Sequence, residues 1–403
     1  MAQTSADIKS RFPIFTHWPA LVYLDNAATS QKPQSVLHAL NHFYEFENAA
    51  VHRGLYKLSA EATRRYEEVR NKVAKLIGAA SGKNIAFTKG TTESINIIAQ
   101  GFLKRRLQKG DNVVISALEH HANLIPWQQV CKQTGAALQV IPVDQNGDLA
   151  LDKLDSLLDG QTKLVSVAHI SNVLGTINPI GEIISKAHKK NIPVLLDGAQ
   201  SVGHCNVDVR QLKPDFVAFS AHKMYGPTGI GVLYCDEKFA GEIESLNFGG
   251  GAIKNVEWGE TEFLEYPTNL EAGTQNISGV IGLGAAIDFI HELDLAKTFR
   301  ETVSLSQYFR EKLKSLDYVE IIGHPKAFGP IVSFTVKNIH AHDVAGFLSH
   351  QHIAVRAGHH CAQPLLDAMG IPATVRASFS IYNILEDADK TIEALVELKK
   401  FWS

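Results

Sequence analysis

The sequence predicts an α/β protein: a large domain built on a mostly parallel sheet, followed by a smaller C-terminal α/β domain. Three observations carry this. Short apolar runs alternate with helical patterns from about residue 85 to 235, the signature of a sheet with helices on both faces. Two of those runs end abruptly in ionisable residues, Pro193–Leu196 into Asp197-Gly198-Ala199-Gln200 and Asp215–Phe219 into Ser220-Ala221-His222-Lys223. Parallel sheets carry their sites beyond the carboxyl ends of their strands. The chain has 403 residues, too many for one ordinary domain.

Taken in order, residues 1–20 read as an arm anchored by Phe12, Phe15 and Trp18, assigned with residues 291–403 to the small domain. Residues 21–290 form the large one. Leu21–Leu24 leads into the small and polar turn Asp25-Asn26-Ala27-Ala28-Thr29. Pro33 opens a helix to about Phe46, and a second helix spans about Ser59–Ile77, with Tyr66, Val69, Val73 and Leu76 at helical spacing. Strands are predicted at Ile85–Thr88, Asn112–Ser116, Ala137–Val143, Lys163–Ile170, Pro193–Leu196, Asp215–Phe219 and Gly229–Tyr234. Residues 246–272, rich in glycine, aromatic and acidic residues, break the rhythm as a long excursion or hairpin. A helical stretch over Ser278–Leu316 joins the second domain, with strands near Ile331–Val336 and Val375–Ser380 and helices near His342–His350 and Glu386–Trp402.

Composition narrows the function classes. The formal net charge of -3 gives no reason to expect nucleic acid or an anionic membrane as partner. The 4 cysteines are scattered without a CxxC pair, which argues against a disulfide framework or a structural zinc site and fits a reducing, cytoplasmic setting. The N-terminus shows no apolar signal core, and no apolar run is long enough to span a membrane.

An acid at one strand end and an amine at the next suggest pyridoxal phosphate (PLP). Lys223 would form the Schiff base and Asp197 would pair with the pyridinium nitrogen. Gly90-Thr91-Thr92-Glu93 follows a strand and opens a helix, a position suited to phosphate or to plain capping. Ser220 and His222 add donors, and Thr274 is a further candidate, reaching across a dimer interface. In Glu119-His120-His121-Ala122-Asn123 we assign His121 to stack on the pyridine ring, because it sits farther into the loop; a solvated loop histidine is the alternative. Asn172 and Gln200 are candidates for the ring oxygen or for turns. Arg356-Ala357-Gly358-His359-His360-Cys361-Ala362-Gln363-Pro364 reads as an exposed loop whose basic neighbours favour a Cys361 thiolate. A metal there ranks lower, lacking a second cysteine or carboxylates, and none is expected. Arg376 can fork onto a substrate carboxylate.

In this order and combination, these motifs resemble the group II cysteine desulfurases (SufS/CsdA type, also similar to selenocysteine lyases) of the class V aminotransferase superfamily. The likeness runs from Tyr23-Leu24-Asp25-Asn26-Ala27-Ala28-Thr29 to the RASFSIYN segment. It implies the PLP-dependent fold type I and a homodimer. Lys223, Asp197, Gln200, His121, Thr91, Thr92, Ser220, His222 and Thr274 would hold the cofactor, and Arg376, Asn172, Arg356, Asn26 and Ala28 the substrate. Cys361 would take sulfur from L-cysteine as a persulfide, leaving L-alanine, and pass it to a SufE- or CsdE-like acceptor, with iron–sulfur cluster assembly as the usual destination. L-selenocysteine as the main substrate, or aminotransferase- or kynureninase-like chemistry on the same framework, stays open.

Overall fold

The computed structural model describes residues 5–402. The strands are β1 (Val22–Tyr23), β2 (Ile85–Thr88), β3 (Asn112–Ser116), β4 (Ala137–Ile141), β5 (Thr162–Ala168), β6 (Val194–Asp197), β7 (Phe216–Ser220), β8 (Gly231–Cys235), β9 (Ile253–Val256), β10 (Thr261–Phe263), β11 (Val319–Ile322), β12 (Ile331–Val336), β13 (Ile353–Ala354), β14 (Arg356–Gly358) and β15 (Thr374–Ser378). Each strand of the sheet expected for the large domain forms within two residues of its predicted ends.

Seven strands make the large sheet in the order β2-β8-β7-β6-β5-β3-β4. The five from β3 to β7 run parallel, and β8 is antiparallel to both its neighbours. Alternate residues feed opposite faces. Along β7, Val217 and Phe219 enter one core, while Phe216 and Ala218 enter the other with Phe102 and Trp127. Strands buried on both faces must be apolar throughout, which is why these runs stood out in the sequence.

The predicted helix over 278–316 is two helices, Ile277–His291 and Leu295–Lys314. Asp294 makes the break by accepting the Lys297 N–H, an N-cap in the middle of an otherwise continuous helical pattern. Residues 246–272 do form a hairpin, β9 against β10, and Trp258 at its tip is fully exposed. Its far end is tied down by Glu271, which accepts from Arg70, the Tyr66 hydroxyl and the Phe87 N–H in the large core.

The small domain is an antiparallel sheet, β11-β12-β15-β14, packed under the helices Leu295–Lys314, Ala341–His350 and Leu385–Trp402. The boundary drawn at residues 20/21 does not separate the two cores. Within the arm, Ile8, Phe12 and Phe15 join the larger core, where Phe12 meets Tyr225, Phe289 and Tyr382 edge-on. Val22 and Leu24 join the smaller core instead, because β1 pairs with β13. Trp18, expected as an anchor, is exposed. Residues 1–4 of the arm lie outside the described residues.

Candidate active site

Parallel pairing of β6 and β7 puts Asp197 level with Ala218 and brings Lys223, on the turn after β7, to the same edge of the sheet. A cavity of about 210 Å³ opens there. The large domain lines it with Asp197, Gln200, Ser220, His222 and Lys223, and the turn after β1 adds Ala27 and Ala28. The small domain closes it with Arg356, His360, Cys361 and Arg376. Acid, amine and thiol, separated by up to 164 positions of sequence numbering, therefore face one space.

Burial sets the electrostatics. It raises the Asp197 carboxyl above its ordinary range, opposed by the Ala199 N–H it accepts (2.9 Å) and by the Lys223 charge. It pushes the Lys223 amine down to about 8; Asp197 pulls the other way, and Arg376 and Arg356 add to the depression. His222 is held near 4 by burial and by the nearby charges of Lys223 and Lys32, and so is a neutral imidazole at pH 7.

One end of the cavity is a cup of hydroxyls at a helix N-terminus. The Thr91 N–H donates to Ser220 Oγ at 2.8 Å, and the two hydroxyls meet at 2.7 Å. Gly90 precedes the helix at φ 156°, pressed against β8. A Cβ on Gly231 would lie 2.4 Å from Gly90 Cα, so this crossing admits no side chain. Thr92 and His222 line the cavity and also a second depression of about 610 Å³ on the outer side of the cup. Thr274 lines neither depression and is exposed.

Two assignments are corrected by the geometry. His120, not His121, lines the cavity. His120 is the extended residue capping the short turn His121–Asn123, with Nδ1 accepting the Ala122 N–H at 3.0 Å, and burial pushes its imidazole down to about 3. His121 turns to the other side and braces the cysteine segment: its N–H donates to the Cys361 carbonyl (2.6 Å) and its Nε2 accepts the Gln363 N–H (3.2 Å). The residue nearest the strand end reaches the crevice, and that proximity was the signal available in the sequence. Asn26 does not line the cavity either. Its amide nitrogen donates to the Tyr23 and Ser378 carbonyls, and its oxygen accepts from the Tyr382 hydroxyl, so it ties the two domains together.

The cysteine segment is not an exposed loop. Arg356–Gly358 is the edge strand β14, and Gln363–Ala368 is a helix. Between them His360 is buried and Cys361 half-buried, at φ 53° and 56°. Two successive non-glycine residues in the left-handed region are costly and are held by their surroundings. Here the Asn172 amide donates to the His360 carbonyl (2.6 Å), and His360 Nε2 lies 2.7 Å from the Thr374 hydroxyl. On β15, Arg376 donates to Asp25 (3.0 Å) and to the Asn172 carbonyl (2.9 Å). Asn172 Oδ1, Arg376 Nε and His360 Nδ1 are buried polar atoms without a protein partner among the described residues. His360 had no role in the sequence reading, although it stood in the motif.

Behind this wall lies Glu119, also missed. It accepts from Ser116, the Ala168 N–H (2.9 Å) and Asn123 (2.6 Å), and burial raises its carboxyl to about 8. Ala168 is level with Asp197 across β5 and β6, so Glu119 fixes the strand end beside the acid.

Comparison with known proteins agrees with this architecture. The class-V aminotransferase model matches residues 22–391, so the chain belongs to that family, and within it to the group II cysteine desulfurases. A cysteine desulfurase of Cronobacter sakazakii is 43% identical over 404 residues, covering 99% of each chain. The crystal structure of the Escherichia coli cysteine desulfurase CsdA superimposes with a TM-score of 0.93 at 36% identity, covering 100% of both chains. The apo structure of a cysteine desulfurase from Thermococcus onnurineus gives 0.94 at 40% identity, covering 99% of this chain and 100% of that one.

Proposed function

We propose that this chain is a PLP-dependent cysteine desulfurase that converts L-cysteine to L-alanine and carries the sulfur as a persulfide on Cys361. One observation supports this above the others: Cys361 shares the cavity with Lys223 and Asp197. An aminotransferase or a kynureninase-like hydrolase has no use for a thiol there.

The donor set fits the cofactor. Lys223 would anchor it covalently, Asp197 would pair with the ring nitrogen, Gln200, which lines the cavity, would meet the ring oxygen, and His120 would take the stacking role given to His121 from sequence. The cup of Thr91, Thr92, Ser220 and His222 suits its phosphate, with Thr274 offered by a second subunit. When bound, PLP supplies an electron sink for charge developing at the substrate Cα. Arg376 and Arg356 bind the substrate carboxylate, assisted by Asn172, while Ala28 leaves room for it. Lys223 is an effective base for the Cα proton because its amine, at about 8, is part neutral at pH 7. The Cys361 thiolate attacks the substrate sulfur. An S–S bond forms, the C–S bond breaks with its electron pair passing to the carbon fragment, and that fragment takes up a proton at Cβ and regains one at Cα from Lys223 to leave as alanine.

Cys361 lies half-buried beside the surface, from where an acceptor protein of the SufE or CsdE kind collects the sulfur, in the service of iron–sulfur cluster assembly. The setting is cytoplasmic, as free cysteines suggest; all four are unpaired. No helix among the described residues is long and apolar enough to cross a membrane. A homodimer is supported by exposed apolar residues such as Phe46, Leu55, Tyr56, Phe248 and Trp258.

The test is Cys361→Ala with L-cysteine and L-selenocysteine as substrates and alanine as the measured product. Loss with cysteine is expected. Unchanged cysteine turnover refutes the persulfide role, and retention with selenocysteine alone shows that only sulfur needs the thiol.

A further inference from the structure

A second lysine stands behind the cup, and none of the chemistry above uses it. Lys32 lies in Thr29-Ser30-Gln31-Lys32-Pro33, where the proline holds it extended. Its ammonium donates to the Ser30 carbonyl and to the His222 carbonyl (3.1 Å), with Thr29 Oγ1 at 3.4 Å. Ser30 reinforces the same junction. Its N–H donates to the His222 carbonyl (2.9 Å), and its hydroxyl contacts that carbonyl (3.1 Å) and accepts the Tyr225 N–H (2.8 Å). The turn 29–32 thus grips the segment 222–225 on both sides of Lys223.

The placement of this charge is unusual. Lys32 precedes the helix Gln34–His42, whose N-terminus disfavours a cation. No carboxylate among the described residues pairs with it. Burial weakens the ammonium, pushing it down to about 8, and its charge is felt at the His222 imidazole, whose protonation it disfavours. A half-buried ammonium without a carboxylate partner, one hydrogen bond from His222 of the anion cup, gains most when an anion occupies that cup.

We propose that Lys32 is a positioning residue for the anion cup: it fixes the His222 turn through its carbonyl and lends positive charge to the phosphate held by His222 and Ser220. This rests on the phosphate reading of the cup given above. The experiment compares PLP with pyridoxal, the same ring without the phosphate, titrated into the full-length apoprotein and followed by absorbance. In Lys32→Met, PLP affinity should fall roughly tenfold while pyridoxal affinity stays within about twofold, and Lys32→Arg should restore the difference. Lys32→Gln, which keeps a donor but no charge, should behave like Lys32→Met and decides the matter if the methionine variant does not fold. A parallel loss for both ligands, or no loss for either, overturns the proposal. A wild-type protein that does not prefer PLP over pyridoxal overturns the phosphate reading itself.

Discussion

Replacing Lys223 with methionine should destroy activity and make the apoprotein more stable. Among the described residues the Lys223 amine makes no hydrogen bond and no ion pair, and burial drives it from 10.5 to about 8. A depression of that size corresponds to about 3 kcal/mol of folding free energy at pH 7. The sign follows from proton counts. Below pH 8 both folded and unfolded lysines are charged, so the whole penalty for burying the charge is present. Between about 8 and 10.5 the unfolded chain binds the proton and the folded one does not, so wild-type stability rises with pH and the penalty is relieved. Methionine fills nearly the same volume and has no charge to bury. In urea denaturation of the two apoproteins, Lys223→Met should lead at pH 7 by up to about 3 kcal/mol, and the lead should shrink as the pH rises past 9. A variant less stable than wild type at pH 7, or a lead that does not vary with pH, would refute the view that Lys223 is held there at the expense of the fold.

Other expectations bear on neighbouring residues. His120→Ala should weaken PLP binding and shift its visible absorbance, while His121→Ala should leave the spectrum in place and slow alanine release through the Cys361 segment; absorbance titration and product assay separate the two. Glu119→Ala should cost about 2–4 kcal/mol because it strands the Ala168 N–H and the Asn123 amide in the interior, measured by thermal denaturation. With its carboxyl raised from 4.5 to about 8, wild-type Glu119 favours the fold below pH 4.5 and loses that contribution as pH rises through 8; Glu119→Gln should flatten this part of the stability–pH curve. Gly231→Ala should separate β8 from Gly90 and abolish PLP binding at little cost to secondary structure, read by circular dichroism beside a PLP titration.

The large sheet was legible because a strand buried on both faces has to be apolar along its whole length, and the polar residues at its end then mark the crevice. Asp197 and Lys223 could be paired from sequence for this reason. Features set by long-range contacts were less visible. At the edges of the small sheet, β11 was not predicted and β14 was read as part of a loop. The left-handed turn at His360 and Cys361 uses no glycine, so the segment read as a loop without showing that its centre, His360 and Ala362, is buried. The choice between His120 and His121 hangs on the phase of one short turn. Asn26 looked like a ligand because it is polar beside small residues, but its partners Ser378 and Tyr382 lie more than 350 positions away.

The turn of residues 25–32, wedged between the two domains, has a consequence for the order of synthesis. Those residues leave the ribosome before the Lys223 turn they grip, and the side chains closing the cavity, Cys361 and Arg376, emerge after it. Domains generally fold as they are made. The large sheet can therefore form before the small domain, but its reactive lysine remains open on one side until residues 356–376 have been made. The complete pocket, and with it any selectivity among small amino acids, exists only once both domains have been made.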